Sequence, residues 1–100
     1  MTVAVELPRW RVSPLARLSW RSWGEDYVAF ESRSGELAEF DVLAAAAMAC
    51  LEERPRTLSE LAEELAADLG QQADAQFSDA VDGIVRQFRR LGWVEEIMPT

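Results

Sequence analysis

The residues of this chain that are equipped for chemistry are few. Its single cysteine, Cys50, has no imidazole to activate it, because the sequence contains no histidine. A Cys/His nucleophile pair and a zinc site built from Cys and His therefore cannot be assembled within the chain. Histidine is also the commonest general base, so proton transfer would fall to carboxylates. The adjacent acids Glu52-Glu53, Glu63-Glu64 and Glu95-Glu96 lie on polar faces or element ends. A catalytic carboxyl pair needs one member desolvated so that its pKa rises, and those settings do not provide it. Calcium-loop spacing is absent as well. The expectation is a non-enzymatic protein without metal or cofactor, one that works by binding.

Charge narrows what it binds. Ten arginines, no lysines and eighteen acids give a net charge of −8 over 100 residues. Residues 1–23 carry a local balance of +3 (Arg9, Arg11, Arg17 and Arg21 against Glu6), which leaves −11 on the remainder. An acidic body repels phosphate backbones, so no nucleic-acid partner is expected. No apolar run is long enough to span a membrane, and residues 1–11 lack the apolar segment of a secretory signal. A lone cysteine fits a reducing compartment, and the expected location is cytoplasmic. Cys50 itself, beside Met48 and Leu51 on an apolar helix, reads as a buried, inert thiol.

The elements that position these residues follow from periodicity. Residues 1–16, with Pro8 and Pro14, read as an extended arm, and residues 17–97 as one domain. Leu18 to Ser22 alternates apolar and polar as a half-buried strand does. Gly24-Glu25-Asp26 supplies a turn, and Tyr27 to Ser32 a second strand whose inward face is expected to be Val28 and Phe30. Arg33-Ser34-Gly35 turns the chain into a third strand, Glu36 to Phe40, completing an antiparallel meander.

Three helices come next. Asp41 caps an alanine-rich helix that stops before Pro55. Thr57 and Glu60 form a capping box for a second helix that ends at Gly70. Phe77, Val81, Ile84, Phe88 and Leu91 stripe a third helix that begins between Asp74 and Ser78 and closes at Gly92. Gly83 stands out inside it, in a position suited to close approach of another backbone, to packing against a neighbouring strand, or to mere tolerance. Trp93 to Ile97 alternates again, as a short strand or a docked tail. The fold class is α+β, a three-stranded antiparallel meander followed by three helices, winged-helix-like.

Two binding modes suit that order. In a winged-helix DNA-binding transcription regulator, the third helix enters the major groove and Arg86, Arg89 and Arg90 meet phosphates or bases. Otherwise those arginines simply complement the helix dipole. In the second mode, the third strand of the meander is an edge with unpaired main-chain groups, suited to β-strand addition by an extended peptide. Trp23, on the opposite strand face from Trp20, is a candidate exposed contact. The same open edge leaves the chain as a monomer or a weak homodimer.

Several motifs, in their order, resemble the PqqD family of peptide chaperones, also called RiPP recognition elements. They are a tryptophan near the first strand, Tyr27-Val28-Ala29-Phe30, Ser34-Gly35, Asp41 opening the alanine-rich helix, Arg54-Pro55 leading into Thr57-Leu58 and Glu60-Leu61, and Leu91-Gly92-Trp93-Val94-Glu95. The resemblance spans roughly residues 10–97 and is nearest the stand-alone branch associated with an HPr-kinase-related system. It implies capture of a precursor peptide's leader segment beside the third strand and against the third helix, and its presentation to a modifying enzyme. Carried over by position, the peptide-binding residues are Leu37, Ala38, Glu39 and Phe40 on the strand and Val81, Val85, Arg86 and Arg89 on the helix. The sequence departs from the branch along that strand, where Ser34-Gly35 leads into Glu36-Leu37-Ala38-Glu39-Phe40.

Overall fold

The computed structural model describes residues 8–98, and the elements run in the order β1 (Arg9–Val12), β2 (Leu18–Trp23), β3 (Asp26–Glu31), β4 (Glu36–Phe40), α1 (Val42–Glu53), α2 (Leu58–Leu69), α3 (Ala75–Arg90) and β5 (Val94–Ile97). β2, β3 and β4 form the expected antiparallel meander in that order, and three helices follow it. A second sheet of two strands joins β1 to β5.

The helices begin and end where the sequence places their caps. The Asp41 side chain accepts from the Ala44 amide at 2.9 Å. Thr57 and Glu60 exchange both bonds of the capping box, and Asp74 accepts from the Phe77 amide. α3 closes in a Schellman turn, with the Trp93 amide donating to the Phe88 carbonyl at 3.0 Å. That turn needs a left-handed residue, and Gly92 supplies it at φ 78°.

The inward face of β3 is the reverse of the expected one. Ala29 is fully buried, whereas Phe30 is 41% exposed, and Val28 shares its outer face. The cause is one residue in the β2–β3 loop. The loop is Gly24-Glu25 alone, so Trp23 pairs with Asp26 and Trp20 with Ala29. A three-residue loop would have paired Trp20 with Phe30. A one-residue change in register moves every side chain to the other face. Glycine at the first loop position, with φ 65°, is what a two-residue hairpin of this kind requires.

The expected arm also contributes to the fold. Arg9 to Val12 pair with Ile97 to Val94. Trp10 is buried and exchanges two main-chain bonds with Arg56, of 2.7 and 3.1 Å. The boundary between arm and domain therefore lies no later than β1. Residues 1–7 of the expected arm lie outside the described residues.

Two buried charged groups hold the connections. Arg56 is 4% exposed. Its guanidinium donates to the Cys50 and Arg54 carbonyls and to the carboxylates of Glu64 and Glu53. These bonds tie the C-terminal end of α1 to α2, the Cys50 carbonyl accepting from the Arg54 amide as well. Glu31, also 4% exposed, accepts from the Arg17 amide at 2.7 Å and the Ser34 amide at 2.8 Å. It thus ties the start of β2 to the β3–β4 turn. These amide donors, Arg17 foremost, stabilise its charged form and hold its pKa down at about 2, against an ordinary 4.5.

A carboxylate whose pKa is lowered on folding stabilises the fold above its unfolded value and less so as pH falls through its folded value. Glu31 should therefore contribute fully above pH 4.5, and its contribution should fade as the pH approaches 2. Urea unfolding of the Glu31→Gln chain should show lower stability at neutral pH and a shallower loss of stability on acidification. An amide at this position turns an N–H toward a backbone N–H. A variant as acid-sensitive as the parent would mean that Glu31 is not a source of the pH dependence.

Candidate functional site

The outer edge of the meander is defined by which main-chain groups β3 leaves to β4. In an antiparallel pair, opposed residues alternate between exchanging both main-chain bonds and exchanging none. The Ser32 amide donates to the Arg17 carbonyl at 3.0 Å, continuing the β2–β3 ladder. The even-numbered residues of β3 thus turn toward β2, and Tyr27, Ala29 and Glu31 turn toward β4. The bond from the Gly35 amide to the Glu31 carbonyl, 2.9 Å, agrees. Their partners Phe40, Ala38 and Glu36 use their main-chain groups on β3. Leu37 and Glu39 point theirs outward, and β4 is the last strand of the sheet.

Side chains alternate with the same period of two. Leu37, 65% exposed, and Glu39 stand on the outer face of the sheet. Ala38 is half-buried on the inner face beside Ala29. Phe40 is a core residue, its ring centroid 4.9 Å from that of Phe88 on α3. Of the four strand residues expected to meet a partner, Leu37 and Glu39 offer both edge and side chain, while Ala38 and Phe40 support them from beneath.

The helix residues separate in the same way. Val81 and Val85 are 1% and 0% exposed, so neither side chain is presented to a partner. They belong with Phe77 and Phe88 to the apolar stripe of α3, which packs on α1, α2 and β5. Arg86 and Arg89 are exposed. Arg86 bonds Asp82 one turn back at 2.9 Å, and the Arg89 guanidinium lies over the Trp10 ring, 5.7 Å from its centroid. Asp79 and Asp82 lie on the N-terminal half of this helix and the arginines on its C-terminal half, so its surface changes sign along its length.

An apolar patch on the outer sheet face was the feature least legible in the sequence. Trp23 is 72% exposed and lies with Val28, Phe30 and Leu37 on that face. A cleft of about 390 Å³ elsewhere, at the start of α3, is lined with glutamines over Leu43, Leu69 and Phe77. The cleft that includes β4 residues is instead bounded by Arg21, Trp23, Val28, Leu37, Ala38 and Glu39, with a volume of about 570 Å³. The orientation of Trp23 was readable from its spacing to Trp20. The placement of Val28 and Phe30 was not, because it depends on the loop length.

Among the described residues no cluster of three metal-ligating side chains occurs. Burial pushes the Cys50 thiol above its ordinary pKa, the reverse of what a nucleophile needs. Among the described residues no helix is long and apolar enough to cross a membrane.

Gly83 is exposed, and a Cβ added there would meet nothing within 4 Å. No neighbouring backbone within the described residues requires glycine at this point. Gly83→Ala should therefore stabilise the isolated chain by about 0.5–1 kcal/mol, the helix-propensity difference. Chemical denaturation measures it, and a destabilised variant would reveal a packing constraint at this position.

No protein-family model, no curated protein and no solved structure matches this chain.

Proposed function

We propose that the chain is a non-enzymatic peptide-binding chaperone that captures the leader segment of a ribosomally made precursor by β-strand addition and presents it to a modifying enzyme. The observation that carries this reading is the outward-facing main chain of Leu37 and Glu39 on the last strand of the sheet. An extended peptide laid along β4 can bond those two amides and two carbonyls. Each such bond contributes about 0.5–1.5 kcal/mol net, so side-chain contacts must add to them for useful affinity. Leu37 offers apolar surface at the point of docking. The sequence resemblance to peptide chaperones supports the same edge.

The winged-helix alternative draws less support. A DNA-reading helix needs a continuous basic face, whereas on α3 the exposed Asp79 and the half-buried Asp82 precede the arginines, and Arg86 is paired with Asp82. The net charge of −8 opposes it further.

A proline at an edge position removes one donor without breaking the ladder to the neighbouring strand. Glu39→Pro should leave the chain folded and weaken binding of a labelled leader peptide from a neighbouring precursor gene by about tenfold, the value of one hydrogen bond with its strand alignment. Glu39→Gln, which keeps the amide, separates the side chain's share from the main chain's. Fluorescence anisotropy titrations compare the three proteins. Equal affinity of Glu39→Pro and Glu39→Gln would remove strand addition at β4 as the mechanism.

A further inference from the structure

The outer face of the meander carries apolar side chains on all three strands, with one charged residue of opposite sign on each outer strand. Trp23, Phe30 and Leu37 are its most exposed side chains, 72%, 41% and 65% respectively, with Val28 between them on the central strand. Apolar side chains gathered at this density on one exposed sheet face mark a surface that another protein covers. One cross-strand row of the same face reads Arg21, Val28, Glu39, from β2 through β3 to β4. Among the described residues neither Arg21 nor Glu39 is engaged in an ion pair.

That row is complementary to itself. Consider two copies stacked face to face about a twofold axis running along β3. The β2 strand of each copy then lies over the β4 strand of the other, within the same row. Arg21 faces Glu39 of the second copy, Glu39 faces its Arg21, and the two Val28 side chains meet on the axis. A twofold axis running across the strands would instead set Arg21 against Arg21 and Glu39 against Glu39, an arrangement the like charges oppose. Charge thus selects one of the two ways in which the faces can stack, and sheets packed with their strands nearly aligned are a common arrangement.

We propose that this chain forms a symmetric homodimer through the outer face of β2–β4, with Trp23, Phe30 and Leu37 buried between the sheets and reciprocal Arg21–Glu39 pairs fixing the orientation. The proposal does not rest on peptide capture, because it uses the side chains on the face of the sheet and not the main-chain groups of the β4 edge. Three strands of about six residues, spaced about 4.8 Å apart and rising about 3.4 Å per residue, present a small footprint. The interface belongs with the weak, concentration-dependent class rather than the obligate one. The net charge of −8 on each copy adds a general repulsion, so added salt relieves that repulsion while it weakens the specific pairs.

Sedimentation equilibrium on the purified chain alone, over a concentration series, tests this. A monomer–dimer equilibrium is expected. Arg21→Glu or Glu39→Arg alone should raise the dissociation constant about tenfold or more, since each sets like charges together twice across the axis. The double variant with both substitutions should return it to within about threefold of the parent, because the reciprocal pairs are restored with their signs exchanged. Circular dichroism confirms that each variant is folded. Should a charge variant fail to fold, Trp23→Ser, at a side chain with little internal packing, should dissociate the dimer instead. A chain that stays monomeric at every concentration overturns the proposal and leaves the face to a different protein. A dimer indifferent to both single reversals overturns it as well, and places the contact elsewhere, the β4 edge included. The peptide titrations compare Glu39→Pro with Glu39→Gln, both of which lack the carboxylate that faces Arg21, so failure of the two proposals can be told apart.

Discussion

The burial of one ring, Phe40, holds the sheet to the rest of the molecule. It lies 5.7 Å from Trp20 on β2, 4.9 Å from Phe88 on α3 and 5.8 Å from Trp93 at the mouth of β5, centroid to centroid. The meander, the last helix and the two-stranded sheet therefore meet at a single side chain. Each such pair contributes about 0.5–1.5 kcal/mol beyond the area it buries. The arrangement requires small residues around it. Ala29 and Ala38 fill the two places beside Trp20 in its cross-strand row, so the Trp20 ring can reach over them to Phe40. The next residue, Asp41, caps α1. The end of β4 is thereby fixed by packing on one side and by a helix cap on the other, and only its outward edge remains open.

How much of this was legible in the sequence follows from the range over which each signal acts. Caps are local, and Asp41, Thr57 with Glu60, and Gly92 each marked a helix end that the structure shows. The three-and-four spacing of α3 likewise gave its buried stripe, with Val85 more deeply buried than Ile84. The face of β3 was not legible, because Val28 and Phe30 are the more hydrophobic set while Ala29 is the one required inside. Bulk argued for the wrong face, and the two-residue turn at Gly24-Glu25 decided the matter. Strand β1 was hidden for a different reason. Its four residues lie between two prolines, and their partner is more than eighty residues away in β5.

The candidate site divides along the same line. Leu37 and Glu39 were correctly placed on an outer strand, since that needed only strand order. Val81 and Val85 were placed by analogy along the helix, and their own periodicity carries them into the core. Arg56 escaped notice entirely. A buried arginine has no periodic signature, and its role appears only when the ends of α1 and α2 are brought together around it. It then neutralises Glu64, whose pKa it lowers through a direct side-chain hydrogen bond, and it closes the connection onto which Trp10 docks.

Main-chain direction and side-chain direction alternate with the same period along a strand, and this couples the two proposed contacts. The residues of β4 that offer free amides are necessarily those whose side chains stand on the outer face, here Leu37 and Glu39. A peptide strand bonded to them sets its own bonded residues on that face too, directly beside Leu37 and Glu39. In the proposed dimer those places border a stacked second sheet about 10 Å away. Small outward side chains on the peptide would pass beneath it, and large ones would compete with the second copy for the same apolar strip. Selectivity for the proposed peptide and self-association of the chain would then draw on one set of side chains, with Leu37 at their common boundary.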